Sequence, residues 1–273
     1  MRGVRAPAPP TPAPTLAATK KALAQRANPA RAAASARFFK AGPGEYGEGD
    51  RFIGVTVPQQ RQVARAFAAL PLAACRALLA SPMHEHRLTA VLILMRQFHR
   101  GGDAHRARVY RLLLGGRRAL DNWDLVDTAA PAIFGEYLRG HPSERARYER
   151  LLVSPRLWDR RIAILTAGAL IRTGEPELLL EFAARSLGDR HDLIHKAVGW
   201  MLREAGKRDP AVLRGFLDRH AARMPRTMLR YAIERLPENE RKRYLSLDQE
   251  LPSAKRRRPP AGGSVSHQAG AGH

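Results

Sequence analysis

The chain has 273 residues, 44% of them hydrophobic, enough to bury one sizeable core or a row of smaller units packed on one another. Its 47 Lys and Arg against 25 Asp and Glu give a net charge of +22, far beyond the need of solubility, which implies a polyanionic partner with nucleic acid first among them. The single cysteine, Cys75, excludes an internal disulfide framework and a multi-thiolate zinc site, and fits a reducing cytoplasm.

Residues 1–15 are rich in Pro and Ala and are expected to be disordered, with prolines interrupting any apolar run a signal peptide would need. A folded domain is expected over 16–248, and a disordered basic tail over 249–273. Six basic and no acidic residues fall in 1–35, and four basic and none acidic in 251–273, so the remainder still carries a net +12 on a folded surface. The first helical element ends near Phe38-Phe39-Lys40. The glycine-rich run Gly42–Asp50 lacks the Gly-Lys-Ser/Thr ending of a phosphate-cradling loop, and its acids would repel phosphate. It reads as an ordered loop before a helix that starts after Gly54 and Pro58.

Helical periodicity dominates beyond this point. Leu88, Val91, Leu92 and Met95 recur at three- and four-residue steps, as do Ile162, Leu165, Ala169 and Leu170, and no comparable strand alternation appears. Breakers at Ser81-Pro82, Gly115-Gly116, His141-Pro142, Ser154-Pro155, Gly174-Glu175-Pro176, Asp209-Pro210, Pro225 and Pro237 cut the pattern into roughly a dozen helices. Pro131 is expected to split Asp121–Arg139 in two. Short connections make antiparallel helix pairs, and the length favours an all-α helical-repeat solenoid with a concave basic surface over a compact bundle. No stretch is long and apolar enough to span a bilayer.

Trp123 and Asp127, four residues apart, share one helical face. A carboxylate beside an aromatic plate suits cleavage of a glycosidic bond, where it stabilises the oxocarbenium-like sugar and orients water. A helix cap and a core tryptophan explain the same spacing. In Trp158-Asp159-Arg160-Arg161 the two arginines either clamp phosphates or form surface ion pairs. Lys196, Trp200 and Arg203 fall near one helical face, as a tryptophan among phosphate-binding cations or as a core tryptophan with snorkelling neighbours. His84 and His86 point to different faces, and His191 and His195 lack the intervening Glu and third ligand of a zinc helix, so capping, packing or phosphate contact is read there and no metal or other cofactor is expected.

Four segments in order, Ala36-Arg37-Phe38-Phe39-Lys40, Asn122–Asp127, Leu157–Ala163 and Lys196–Glu204, resemble the AlkD family of DNA alkylation repair proteins over roughly residues 20–245. That resemblance implies a HEAT-like solenoid and a monofunctional glycosylase of base excision repair that removes cationic alkylated purines such as 3-methyladenine and 7-methylguanine from duplex DNA. It also implies that the enzyme grips the backbone around the lesion without drawing the base into a tight pocket. By motif, Asp127 is the catalytic carboxylate, Trp123 and Trp200 flank the sugar and backbone, and Arg161 holds phosphate or positions Asp127. Lys20, Lys21, Arg37, Phe38, Lys40, Arg160, Lys196 and Arg203 are the accompanying DNA-contact candidates. Phe38 stands where family members can have a tyrosine, and Gly42–Asp50 marks a different branch. A monomer suffices for this chemistry, acting on double-stranded DNA in the cytoplasm in association with the nucleoid. Two other readings remain: a non-catalytic binder of damaged or branched DNA, and a protein-interaction scaffold.

Overall fold

The computed structural model describes residues 14–247, so the tails expected at 1–15 and 249–273 lie, except for residues 14 and 15, outside the described residues. Regular structure begins with α1 (Leu16–Ala24), α2 (Pro29–Phe38), α3 (Val57–Ala66), α4 (Leu72–Leu79) and α5 (His84–Arg100). It continues through α6 (Asp103–Gly115), α7 (Trp123–Ala129), α8 (Glu136–Gly140), α9 (Arg145–Leu152) and α10 (Leu157–Leu170). The last elements are α11 (Glu177–Arg185), α12 (Asp192–Arg208), α13 (Pro210–His220), α14 (Arg226–Ile233) and α15 (Glu238–Leu245). The sequence sets many of these starts. Asn28 and Asp209 accept backbone N–H bonds at the heads of α2 and α13, each followed by a proline that has no N–H to leave orphaned. Among the described residues no strand forms beyond one bridge between Arg51 and Met83.

Helices α5, α7, α10, α12 and α14 lie side by side, with α4 and α6 on α5, α9 on α10, and α11 and α13 on α12. Direction follows from the contacts at their ends. His84 at the head of α5 bonds Asp124 in the first turn of α7, and Asp127 of α7 meets Arg161 near the head of α10. Arg161 in turn reaches the Leu193 carbonyl at the head of α12. Four successive inner helices therefore start at the same end of the molecule, and α6, α9 and α11 between them return, which is the layering of an all-α helical-repeat solenoid. One continuous apolar core runs from Ala64 to Tyr244, and a smaller cluster of Leu23, Val55 and Val63 seals the N-terminal end.

Pro131 does not split its segment. The chain stays helical from Trp123 to Gly140, with Ala130–Gly135 wound as a π-turn between α7 and α8. Proline cannot return an N–H to the Asp127 carbonyl four residues earlier, and the wider π spacing absorbs that mismatch without a break. The segment is held against α10 by Gly135, where a Cβ would lie 2.2 Å from the Ala169 Cβ. Gly135→Val therefore forces the two helical segments apart at a cost of about 1–3 kcal/mol, a fall of roughly 2–4 °C in Tm per kcal/mol. Gly215→Ala on α13, where a Cβ meets open space, should leave Tm level or raise it. Equal melting of the two variants in thermal unfolding would contradict the close approach.

Candidate functional site

The Asn122 side chain accepts the Trp123 N–H at 2.8 Å and starts α7. Leu125, Val126 and Ala129 are buried, which turns Trp123 and Asp127 toward the partly open side of the helix. Arg161 grips Asp127 as a fork, Nε to Oδ1 at 2.7 Å and Nη2 to Oδ2 at 2.8 Å, while Nη1 donates to the Leu193 carbonyl. The guanidinium side chain is 6% exposed and the carboxylate 18%. Its charge is matched, but the carboxylate is not sealed, and each oxygen keeps a lone pair beyond the one Arg161 uses. Burial raises the Asp127 pKa above its ordinary 3.8; Arg161 opposes that rise, and nearby Asp124 adds to it. In this conformation the Arg161 guanidinium is engaged by Asp127 and the Leu193 carbonyl.

Aromatic rings surround the head of α7. Phe39 stacks on Trp123 with centroids 5.3 Å apart, and Phe38, 65% exposed, stands edge-on to Trp123 at 5.9 Å. Trp200 is half-buried on α12 and lines a cleft of about 510 Å³ with Pro131 and Leu165. Those two residues lie one turn beyond Asp127 and Arg161, so Trp200 borders the same face at the next level. Trp158 belongs to the core.

The expected cations divide into two groups. Lys21 and Arg37 are exposed on α1 and α2, Lys20 is half-buried, and Lys40, with left-handed backbone at φ 56°, pairs loosely with Glu45 at 3.6 Å. Lys196 is partly exposed and paired with Asp192 one turn away. By contrast, Arg160 is held by Asp189 at 2.7 Å and by the Ser154 and Pro155 carbonyls, and Arg203 pairs with Glu234. In this conformation both arginines join parts of the protein to one another.

Sequence reading missed the most heavily charged cluster. His84 bonds Asp50 at 2.7 Å and Asp124 at 2.8 Å, and Arg87, one turn along α5, bonds Asp50 at 2.8 Å and Asp121 at 2.9 Å. Together they tie the end of the Gly42–Asp50 loop to the heads of α5 and α7. The available signal was the spacing: His84 and Arg87 share a face, while Asp50, Asp121 and Asp124 needed cations. The other histidines do ordinary work. His86 meets Ser81 at 2.8 Å, His191 caps the Leu193 N–H, and His195 bonds the Asp189 carbonyl. No cluster of metal-ligating side chains occurs among the described residues.

Burial alone would depress the His84 pKa, but the bonds and charges of Asp124 and Asp50 outweigh it and raise it from 6.5 to about 9. A folded-state pKa above the unfolded one means that protonation favours the fold, so this contribution is complete below about pH 6.5 and is lost as pH rises through 9. Thermal unfolding between these limits should show the wild type losing stability with rising pH and His84→Asn losing less. Parallel curves for the two proteins would show that His84 is not charged in the fold.

A family profile described as DNA alkylation repair enzyme matches residues 19–236. Among solved structures, a predicted DNA alkylation repair enzyme from Enterococcus faecalis superposes with a TM-score of 0.62 at 18% identity, covering 78% of this chain and 98% of that one. Its likeness is one of fold. Among curated proteins, no relative matches the chain.

Proposed function

The chain belongs to the DNA alkylation repair enzyme family, and on that footing we propose that it is an AlkD-type monofunctional glycosylase that releases cationic alkylated purines from duplex DNA. The observation that carries this reading is the Asp127 carboxylate, forked by Arg161, one helical turn from Trp123 on α7 and still 18% exposed. A carboxylate so held is fixed in direction, and in this reading its charge would face the deoxyribose as it gains positive character and the base departs. Lesions such as 3-methyladenine and 7-methylguanine carry a charge that already weakens the bond to the sugar. The site then needs to stabilise the cation and orient water, with no strong acid at the leaving group.

Trp123 and Trp200 would flank the sugar and the adjoining backbone, with their ring faces favouring the cation. Lys20, Lys21, Arg37, Lys40 and Lys196 would meet phosphates on either side, with Phe38 at the edge of the same surface. Arg160 and Arg203 would join them only by exchanging their protein carboxylates for phosphate. The solenoid acts as a monomer along the duplex in this account, and its net charge would draw it to DNA in a salt-dependent manner. No helix among the described residues is long and apolar enough to cross a membrane.

Base release from methylated duplex tests the reading. Asp127→Asn should slow single-turnover release by roughly 100-fold or more while duplex binding persists, and wild-type rates in this variant would remove Asp127 from the mechanism. Salt-sensitive binding with no base released by the wild type would favour the non-catalytic binder. Since the carboxylate must be ionised, the acid limb of the pH–rate profile should lie above 3.8. Arg161→Gln, which removes the group opposing that rise, should move the limb higher still. A limb unmoved by Arg161→Gln would mean that another group titrates.

A further inference from the structure

Tyr46 has no part in the chemistry above, yet the fold fixes it with care. It sits in the loop 42–50, where the Gly47 N–H donates to the Lys40 carbonyl at 3.0 Å and the Glu45 and Glu48 carboxylates accept the Gly42 and Gly44 N–H groups. Gly47 lies so close under the end of α2 that a Cβ would be 2.4 Å from the Phe39 carbonyl oxygen. The far end of the loop is fastened by Asp50 in its bonds with His84 and Arg87. A segment rich in glycine is in this way ordered from both sides.

That order carries Tyr46 across the head of the helix row. Its ring stands edge-on to Trp158, centroids 6.0 Å apart, and packs partly buried against the main core. Trp158 precedes Arg161 by one turn of α10. Lys196 of α12 lies within electrostatic range of the phenol, behind its partner Asp192 and Tyr231. The ring is thus packed, but the hydroxyl bonds nothing among the described residues and is not a buried orphan, so it faces water. A packed ring with a free hydroxyl, in electrostatic range of an ammonium, offers a neutral and a charged donor to one phosphate group.

We propose that Tyr46 is a DNA-positioning residue: its hydroxyl donates to a backbone phosphate that Lys196 also contacts, fixing the register of the strand across Asp127. This rests on the reading of the site as a DNA-binding face, and not on base release. The neutral donor suits its place, because Glu45 and Glu48 on the same loop would tend to repel phosphate, and a hydrogen bond offsets that at one point.

Fluorescence anisotropy of the full chain with a labelled, unmodified duplex over a salt series tests it. Tyr46→Phe keeps the ring on Trp158, so Tm should be unchanged while binding weakens about five-fold, the loss of one hydrogen bond. The salt slope should stay as in the wild type, whereas Lys196→Met should lower it by about one. In the Lys196→Met background, Tyr46→Phe should cost little more. Wild-type affinity in Tyr46→Phe, weakened binding only with a lowered Tm, or losses that multiply independently across the two sites would each overturn the proposal. A wild type that ignores duplex DNA would overturn it together with the DNA reading. Binding with the expected Tyr46 effect but no released base would sink the glycosylase reading alone.

Discussion

Charge pairs across the heads of the inner helices decide how this molecule is arranged. Because α5, α7, α10 and α12 start at one end, their positive dipole ends gather there, and carboxylates and arginines from neighbouring layers interleave among them. Asp124 and Asp121 reach back to His84 and Arg87, Asp127 reaches forward to Arg161, and Arg160 reaches Asp189 before α12. Each contact spans one step of the row. Most are partly or wholly removed from water, so removing one member of such a pair leaves an uncompensated charge at a cost of roughly 3–5 kcal/mol. The apolar core would allow helices to slide, whereas this ladder admits one register.

The same ladder explains the site. Asp127 is one rung of it, and the constraint that sets α7 against α10 also aims the carboxylate. Close approach at Gly135 and the π-turn around Pro131 keep the two helical segments near enough for the fork to form. On the proposed reading, a substrate that brings its own positive charge asks mainly for a fixed, ionised carboxylate. Burial works against ionisation and Arg161 works for it, so positioning and charge depend on one contact.

Much of this was legible in the sequence, and what was hidden is informative. Helix periodicity and the Pro and Gly breakers outlined the all-helical row, and the four-residue spacing put Trp123 and Asp127 on one face of α7. The loop at Gly42–Asp50 was also legible as ordered and as unlike a nucleotide-binding loop. Pro131 misled, since local sterics favour a break and only packing against α10 makes the π-turn the better solution. The partners of the arginines were invisible because Arg161 meets a residue 34 positions away and Arg160 one 29 positions away, separations that spacing rules do not reach. Tyr46 was hidden for the same reason: its neighbours Trp158 and Lys196 come from layers far along the chain.

The central claim is that Asp127 and Arg161 act as one catalytic unit, and a double-mutant cycle on single-turnover release of 7-methylguanine measures it directly. With Asp127→Asn and Arg161→Gln, the account predicts a combined variant about as slow as Asp127→Asn alone, because the arginine has nothing left to position. Losses that multiply in full, as for two independent sites, would contradict it.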